Sequence, residues 1–98
     1  MSDDPRRFLR YLDAERNASL LYRALAESTD GEQREALLEL ADVEDKHAQH
    51  WVDKLTTYGV EIPPAPTVLN ADDEQLVRRA RSLGLVSVLD TLEQNEGA

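Results

Sequence analysis

Residues 37–55 read LLELADVEDKHAQHWVDKL, and an apolar stripe runs along one side of this stretch. Its members are three or four residues apart, which places them on one face of an α helix. They are Leu37, Leu40, Glu44, His47, Trp51 and Leu55. A carboxylate and an imidazole therefore stand where such a helix buries hydrocarbon. Because a buried, unpaired carboxylate costs several kcal/mol, Glu44 needs a partner.

A second apolar stripe, earlier in the chain, also contains a carboxylate. Its members, again three or four residues apart, are Phe8, Leu12, Glu15, Ala18, Tyr22 and Leu25. Two buried carboxylates beside one histidine need a shared partner, and a metal ion is the simplest candidate. We therefore predict that Glu15, Glu44 and His47 ligate a metal ion.

Both stripes belong to predicted long helices. Asp4 and the proline after it suit the start of the first helix, whose apolar pattern continues to about Glu27. Thr29 and Glu32 have the spacing of a capping box for the second helix, and Gly59 suits the cap at its end. Two long helices joined by so short a turn are expected to lie antiparallel, with their stripes in contact.

The rest of the chain is predicted to form a connector and shorter helices. Residues 59–70 contain three prolines and make a stiff connector. Asn70 suits the start of a third helix, and a break is expected near Gly84. The last helical stretch carries a third stripe, with Glu93 on a neighbouring line through Val86 and Leu89. The stripe consists of Leu85, Leu89, Leu92 and Glu96.

Composition narrows the class of function. A chain of 98 residues makes one small domain, of a size at which oligomerisation often supplements the core. The net charge of -9 argues against a nucleic-acid or anionic-membrane surface and fits the attraction of cations. Without cysteine, only oxygen and nitrogen ligands are available. No apolar stretch approaches a membrane span and no signal peptide is evident, so we expect a cytoplasmic location.

The predicted ligands resemble those of a known family. Glu15 and Tyr22 on one helix, followed by Glu44 and His47 on its antiparallel partner, resemble the first half of a ferritin-like di-iron carboxylate protein of the rubrerythrin kind. This resemblance covers about residues 6–58. More loosely, the later part resembles the cytosolic domain of membrane-bound ferritins, which precedes a transporter of the vacuolar iron transporter type. The first two helices are also similar to encapsulated ferritins, which build their site across a dimer.

The resemblance implies a fold, a cofactor and an activity. The fold would be all-α, with residues 1–98 as a single ferritin-like domain whose four-helix bundle is completed by dimerisation. The metal would be a pair of irons, and manganese or zinc would suit the same donors. The activity would be oxidation of Fe(II), with Glu15, Glu44, His47 and Tyr22 as the catalytic residues. Tyr22 would hydrogen-bond a ligand carboxylate or donate an electron, although a buried aromatic role fits it equally well.

The chain also departs from the family pattern. A complete member has two Glu-x-x-His motifs, whereas this chain has one, formed by Glu44 and His47. In one interpretation a fourth helix lies beyond residue 98, and Glu93 or Glu96 is the metal ligand from the third. In the other, which we favour, two chains each supply Glu15, Glu44 and His47 to a homodimer or higher homo-oligomer with two-fold symmetry.

Three functions remain open from the sequence. The first is a ferroxidase in iron storage, detoxification or delivery to a transporter. The second is a regulatory, iron-sensing cytosolic domain of a membrane iron transporter that would follow residue 98. The third is a non-catalytic helical interaction module, in which the buried carboxylates only specify the partner.

Overall fold

The protein is all-helical over the part of the chain that the computed structural model describes. That part comprises residues 4–97, without the side chains of residues 93 and 95–97. It contains α1 (Pro5–Glu27), α2 (Gly31–Thr57), α3 (Ala71–Leu83), a 3₁₀ turn (Leu85–Val88) and α4 (Leu89–Gly97). The expected all-α class is confirmed. Within residues 4–97, no helix is both long and apolar enough to cross a membrane.

Side chains cap the first and third helices as expected. The carboxylate of Asp4 accepts a hydrogen bond from the backbone N–H of Arg6 at 2.9 Å, and Pro5 is the first residue of α1. The amide oxygen of Asn70 accepts a hydrogen bond from the backbone N–H of Asp73 at 2.8 Å. Both side chains satisfy amide groups that have no partner within the helix.

The predicted capping box of Thr29 and Glu32 is wrong. The N-terminal cap of α2 is Asp30, and its side chain makes no capping hydrogen bond. The Thr29 hydroxyl instead donates to the carbonyl of Leu25 at 2.6 Å, and Arg34 donates to another carbonyl in the last turn of α1. The polar side chains of this turn therefore close the end of α1 rather than the start of α2.

The two long helices form the predicted antiparallel hairpin. Contacts join the C-terminal part of α1 to the N-terminal part of α2, and the N-terminal part of α1 to the C-terminal part of α2. From the turn outward, the contacting pairs are Arg23–Asp42, Ser19–Asp45, Glu15–His47 and Phe8–Trp51. This register brings the two stripes face to face.

Among the residues that the structure describes, the buried apolar side chains form two clusters, separated along the hairpin. The large cluster, near the turn, joins α1 and α2 to the C-terminal helices. It contains Leu21, Tyr22, Leu25, Ala26, Leu37, Ala41, Leu76, Val77, Ala80, Val88 and Leu92. The small cluster, near the other end, contains Phe8, Leu12, Ala48 and Leu55. Glu15 and Glu44 belong to neither cluster, and in both helices they come between residues of the two.

The buried line of α2 differs in part from the predicted stripe. Leu40 is 46% exposed, and the side chain of His47 is 54% exposed. The most buried positions run instead through Leu37, Ala41, Glu44, Ala48 and Leu55. Ala41 and Ala48 belong to the two clusters that α2 shares with α1, so the centre of the packed face runs through them. Leu40 and His47 consequently lie at the edge of the helix interface.

The C-terminal helices cover the large cluster. Residues of α3 enter it, and beyond the break at Gly84 the 3₁₀ turn and α4 contribute Val88 and Leu92. The predicted third stripe is wrong at Leu89, which is exposed, because a 3₁₀ turn advances only three residues per turn and moves burial to Val88. The side chains of Glu93 and Glu96 lie outside the part of the structure that is described.

Candidate metal centre

Three predicted ligands meet between the two clusters. His47 Nδ1 lies 3.2 Å from Glu44 Oε1 and 3.4 Å from Glu15 Oε2. One ligand atom from each of the three side chains lies within 4.8 Å of those of the other two. Atoms bound to one ion at about 2.1 Å are roughly 3 to 4 Å apart. Small side-chain movements would therefore let all three bind a common ion.

The helices place these side chains through spacing and register. Glu44 and His47 are three residues apart on α2, so both side chains reach the same side of the helix. Glu15 comes from α1, opposite them. Its position depends on the relative shift of the two helices, because a slip by one turn would move its carboxylate about 5 Å.

A group of polar contacts beside the site, here called the polar latch, joins the two helices at this shift. The buried Ser19, one turn after Glu15, donates a hydrogen bond to Asp45 Oδ1 at 2.6 Å. Arg23, one turn further, donates to both Asp45 and Asp42. Sequence reasoning missed this latch, although a serine inside an apolar stretch and two acids three residues apart were its visible signals.

Burial decreases from the carboxylates to the imidazole. Glu44 is 6% exposed, Glu15 is half-buried, and His47 is largely exposed. The carboxylate of Glu44 is thus held in the interior next to an imidazole that reaches the surface. Burying it is tolerable only with close partners, of which His47 is one. Within the described residues, no fully buried side-chain nitrogen or oxygen lacks a hydrogen-bond partner.

Two cavities meet at Glu15. The larger, of about 360 Å³, is lined by Glu15, Tyr22 and Glu44 of the hairpin together with Asp73 of α3 and Leu92 of α4. The smaller cavity, of about 270 Å³, is lined by Glu15 and His47 together with His50 and Trp51. Each cavity reaches two of the three ligands, so a small ion or oxidant can approach Glu15 through either of them.

The other predicted site residues are Tyr22, Glu93 and Glu96. Tyr22 is buried and lines the same cavity as Glu15 and Glu44. Glu93 and Glu96 belong to α4, which brings Leu92 to this cavity, but their side chains are not among those described.

Asp73 is a cavity residue that sequence reasoning missed. The first turn of α3 contains Asp72, Asp73 and Glu74, and nothing in that pattern sets Asp73 apart. In the structure Asn70 Nδ2 donates a hydrogen bond to Asp73 Oδ2 at 3.2 Å. Burial raises the pKa of the Asp73 carboxyl, an effect that the hydrogen bond from Asn70 partly opposes. No sequence signal ties Asp73 to Glu15, because only the folding of α3 against the hairpin brings them to one cavity.

Comparisons with protein-family models, with curated proteins and with solved structures find no match to this chain. The site must therefore be interpreted from its own chemistry. Two carboxylates and one imidazole are hard and borderline donors, which suit iron, manganese and zinc. Among the described residues, this is the one group of such side chains arranged closely enough to hold a metal ion.

Proposed function

We propose that the protein binds Fe(II) at Glu15, Glu44 and His47 and oxidises it. The observation that carries this proposal is the position of Glu44, which is nearly fully buried between two apolar clusters and 3.2 Å from His47. A carboxylate in such a place destabilises a fold that has no use for it. A positive ion would compensate Glu44 and Glu15 together.

The donor set suits a change of oxidation state. Carboxylate oxygens stabilise Fe(III) more than Fe(II), because the more highly charged ion is attracted more strongly. Fe(II) is the substrate and loses one electron. With peroxide as the oxidant, two Fe(II), one H₂O₂ and two protons give two Fe(III) and two H₂O. The cavities on both sides of Glu15 give a small oxidant a route to the site.

The proposal includes a homodimer. One chain supplies two carboxylates and one imidazole, which is half of the ligand set of a ferritin-like di-iron centre. Leu40 and Val43 are exposed on α2, next to the exposed side of His47. A second copy packed there would cover both apolar side chains, bring its own three ligands and complete a four-helix bundle from two hairpins.

Anaerobic titration with Fe(II) tests the site. Wild type is expected to bind stoichiometrically, whereas Glu15→Ala, Glu44→Ala and His47→Ala each lose binding. Glu39→Ala is the matched control, since it removes an exposed glutamate of the same helix and is expected to bind like wild type. Equal binding by all five proteins would refute the site.

Adding peroxide or oxygen to the Fe(II)-loaded protein tests the activity. Ferric absorbance is expected to rise faster than in buffer, and Glu44→Ala is expected to remove the acceleration. Binding without acceleration would favour the iron-sensing alternative, in which a transporter follows this cytoplasmic domain. Absence of binding would favour the interaction module. Storage, detoxification and delivery would all use the same oxidation step.

A further inference from the structure

The lining of the larger cavity includes a carboxylate that the proposed site does not use. Asp73 comes from the first turn of α3, whereas Glu15, Tyr22 and Glu44 come from the hairpin. Asp73 is not part of the group whose ligand atoms lie within 4.8 Å of one another. Asp73 is therefore not placed as a fourth direct ligand, and any effect on an ion at the site would act across the cavity, through space or through water on the ion.

The orientation of Asp73 is fixed locally. Its backbone N–H donates to the amide oxygen of Asn70, and the amide nitrogen of Asn70 donates back to its Oδ2. Its Oδ1 accepts no hydrogen bond within the described residues. Asn70 thus holds the side chain from one side and leaves an acceptor oxygen for a water molecule bound to an ion.

We propose that Asp73 determines the charge preference of the Glu15–Glu44–His47 site, favouring trivalent over divalent ions. This inference rests on the proposed metal site. Glu15 and Glu44 together carry two negative charges, which balance a divalent ion. Asp73 supplies the third, which balances a trivalent ion.

Partial burial makes the third charge effective. A charge is screened less in a lined cavity than at an exposed surface, so the attraction across the cavity is retained. Attraction scales with the charge of the ion. Loss of Asp73 should therefore reduce the binding free energy of a trivalent ion about 1.5 times as much as that of a divalent ion. A tenfold loss of affinity for a divalent ion then corresponds to a loss of about thirtyfold for a trivalent ion. For iron, the same preference would favour the oxidised product over the ferrous substrate.

The test measures the affinity for Mn(II) and for Tb(III), by calorimetry and by sensitised luminescence. Asp73→Asn is expected to weaken Mn(II) binding about tenfold and Tb(III) binding about thirtyfold. A tenfold loss lies within the range seen for groups that act on a metal through its water or its ligands. Asp72→Asn is the matched control, because it removes an exposed charge from the adjacent position of the same turn. It is expected to change either affinity by less than about threefold.

Two further variants distinguish a failure of the proposed role of Asp73 from a failure of the proposed metal site. Asp73→Glu keeps the charge and should retain the preference for Tb(III), and circular dichroism checks that every variant folds. Glu44→Ala should lose both ions. If Glu44→Ala loses both while Asp73→Asn behaves like Asp72→Asn, the role of Asp73 is overturned and the metal site stands. If Glu44→Ala binds both ions like wild type, the metal site falls, and the inference with it.

Discussion

At the scale of single residues, the site is a compromise between stability and binding. Glu44 lies between Ala41 and Ala48, two buried positions of the same helix. An apolar side chain at position 44 would join the two clusters into one continuous core. The carboxylate interrupts that core, and a bound ion would restore the lost stability by mass action.

Glu44→Leu is expected to stabilise the metal-free protein. Replacing a buried ionic group by an apolar side chain of similar size is often stabilising, here by about 1 to 2 kcal/mol. Urea unfolding in the presence of a chelator measures the change. With metal added, wild type should gain stability and the variant should not. A metal-free variant less stable than wild type would show that the carboxylate has a structural role.

Asp73 gives a prediction about pH. Burial raises its pKa above the ordinary value of 3.8, so the folded state favours the protonated form. The stabilisation that comes from this raised pKa is therefore complete below pH 3.8 and is lost as the pH rises through the pKa of the folded state. In the metal-free protein, Asp73→Asn should be more stable than Asp72→Asn at pH 7. Both variants lose the same interaction with the start of α3, so the comparison isolates burial.

Thermal unfolding followed by circular dichroism, from pH 4 to pH 8 with chelator present, measures that difference. It should shrink as the pH falls toward 4. A difference that is constant over this range would show that the charge of Asp73 costs the fold nothing.

At the scale of secondary-structure elements, the register of the hairpin decides whether the ligands meet. Ser19 is the buried member of the latch with Asp45, whereas the Arg23 pairs are exposed and contribute little to stability. Ser19→Ala should lower the free energy of unfolding by about 1 kcal/mol and weaken metal binding. Ser82→Ala, an exposed serine of α3, is the control and should change neither quantity much. Unchanged metal affinity in Ser19→Ala would mean that the apolar clusters alone set the register.

The ends of the helices were predictable because their signals are local. Asp4 with its proline and Asn70 each act within three residues, and the structure has both caps. The capping box at Thr29 failed because a hydroxyl near a helix end can also reach the carbonyl four residues back. Leu89 was misplaced because the 3₁₀ turn before it changes the helical period.

The candidate site was predictable only where helical spacing and the hairpin determine it. The sequence predicts that Glu15, Glu44 and His47 lie together, because a short turn between two long helices brings their stripes into contact. Asp73 could not, since its position depends on how α3 packs after the extended residues 59–70. The exposure of His47 was not predictable from the stripe either, because the buried centre of α2 runs through Ala41 and Ala48 instead.

At the scale of the whole molecule, the net charge and the exposed apolar side chains have opposite effects on the association of two copies. A net charge of -9 on 98 residues makes two copies repel, whereas exposed Leu40 and Val43 favour association. An ion bound near the exposed edge of α2 would reduce the repulsion where two copies meet. Association in solution should therefore strengthen with added metal and with salt.

A charge introduced into the apolar surface of α2 tests the dimer directly. Wild type with Fe(II) is expected to sediment as at least a dimer, and Leu40→Glu as a monomer, because the new carboxylate would be desolvated opposite its own copy. Val86→Glu is the control: Val86 is also strongly exposed, lies in the 3₁₀ turn before α4, and should leave the dimer intact. Because the proposed centre needs ligands from both chains, monomeric Leu40→Glu should oxidise Fe(II) no faster than buffer does. A monomer that binds two irons per chain and oxidises them like wild type would show that one chain is sufficient.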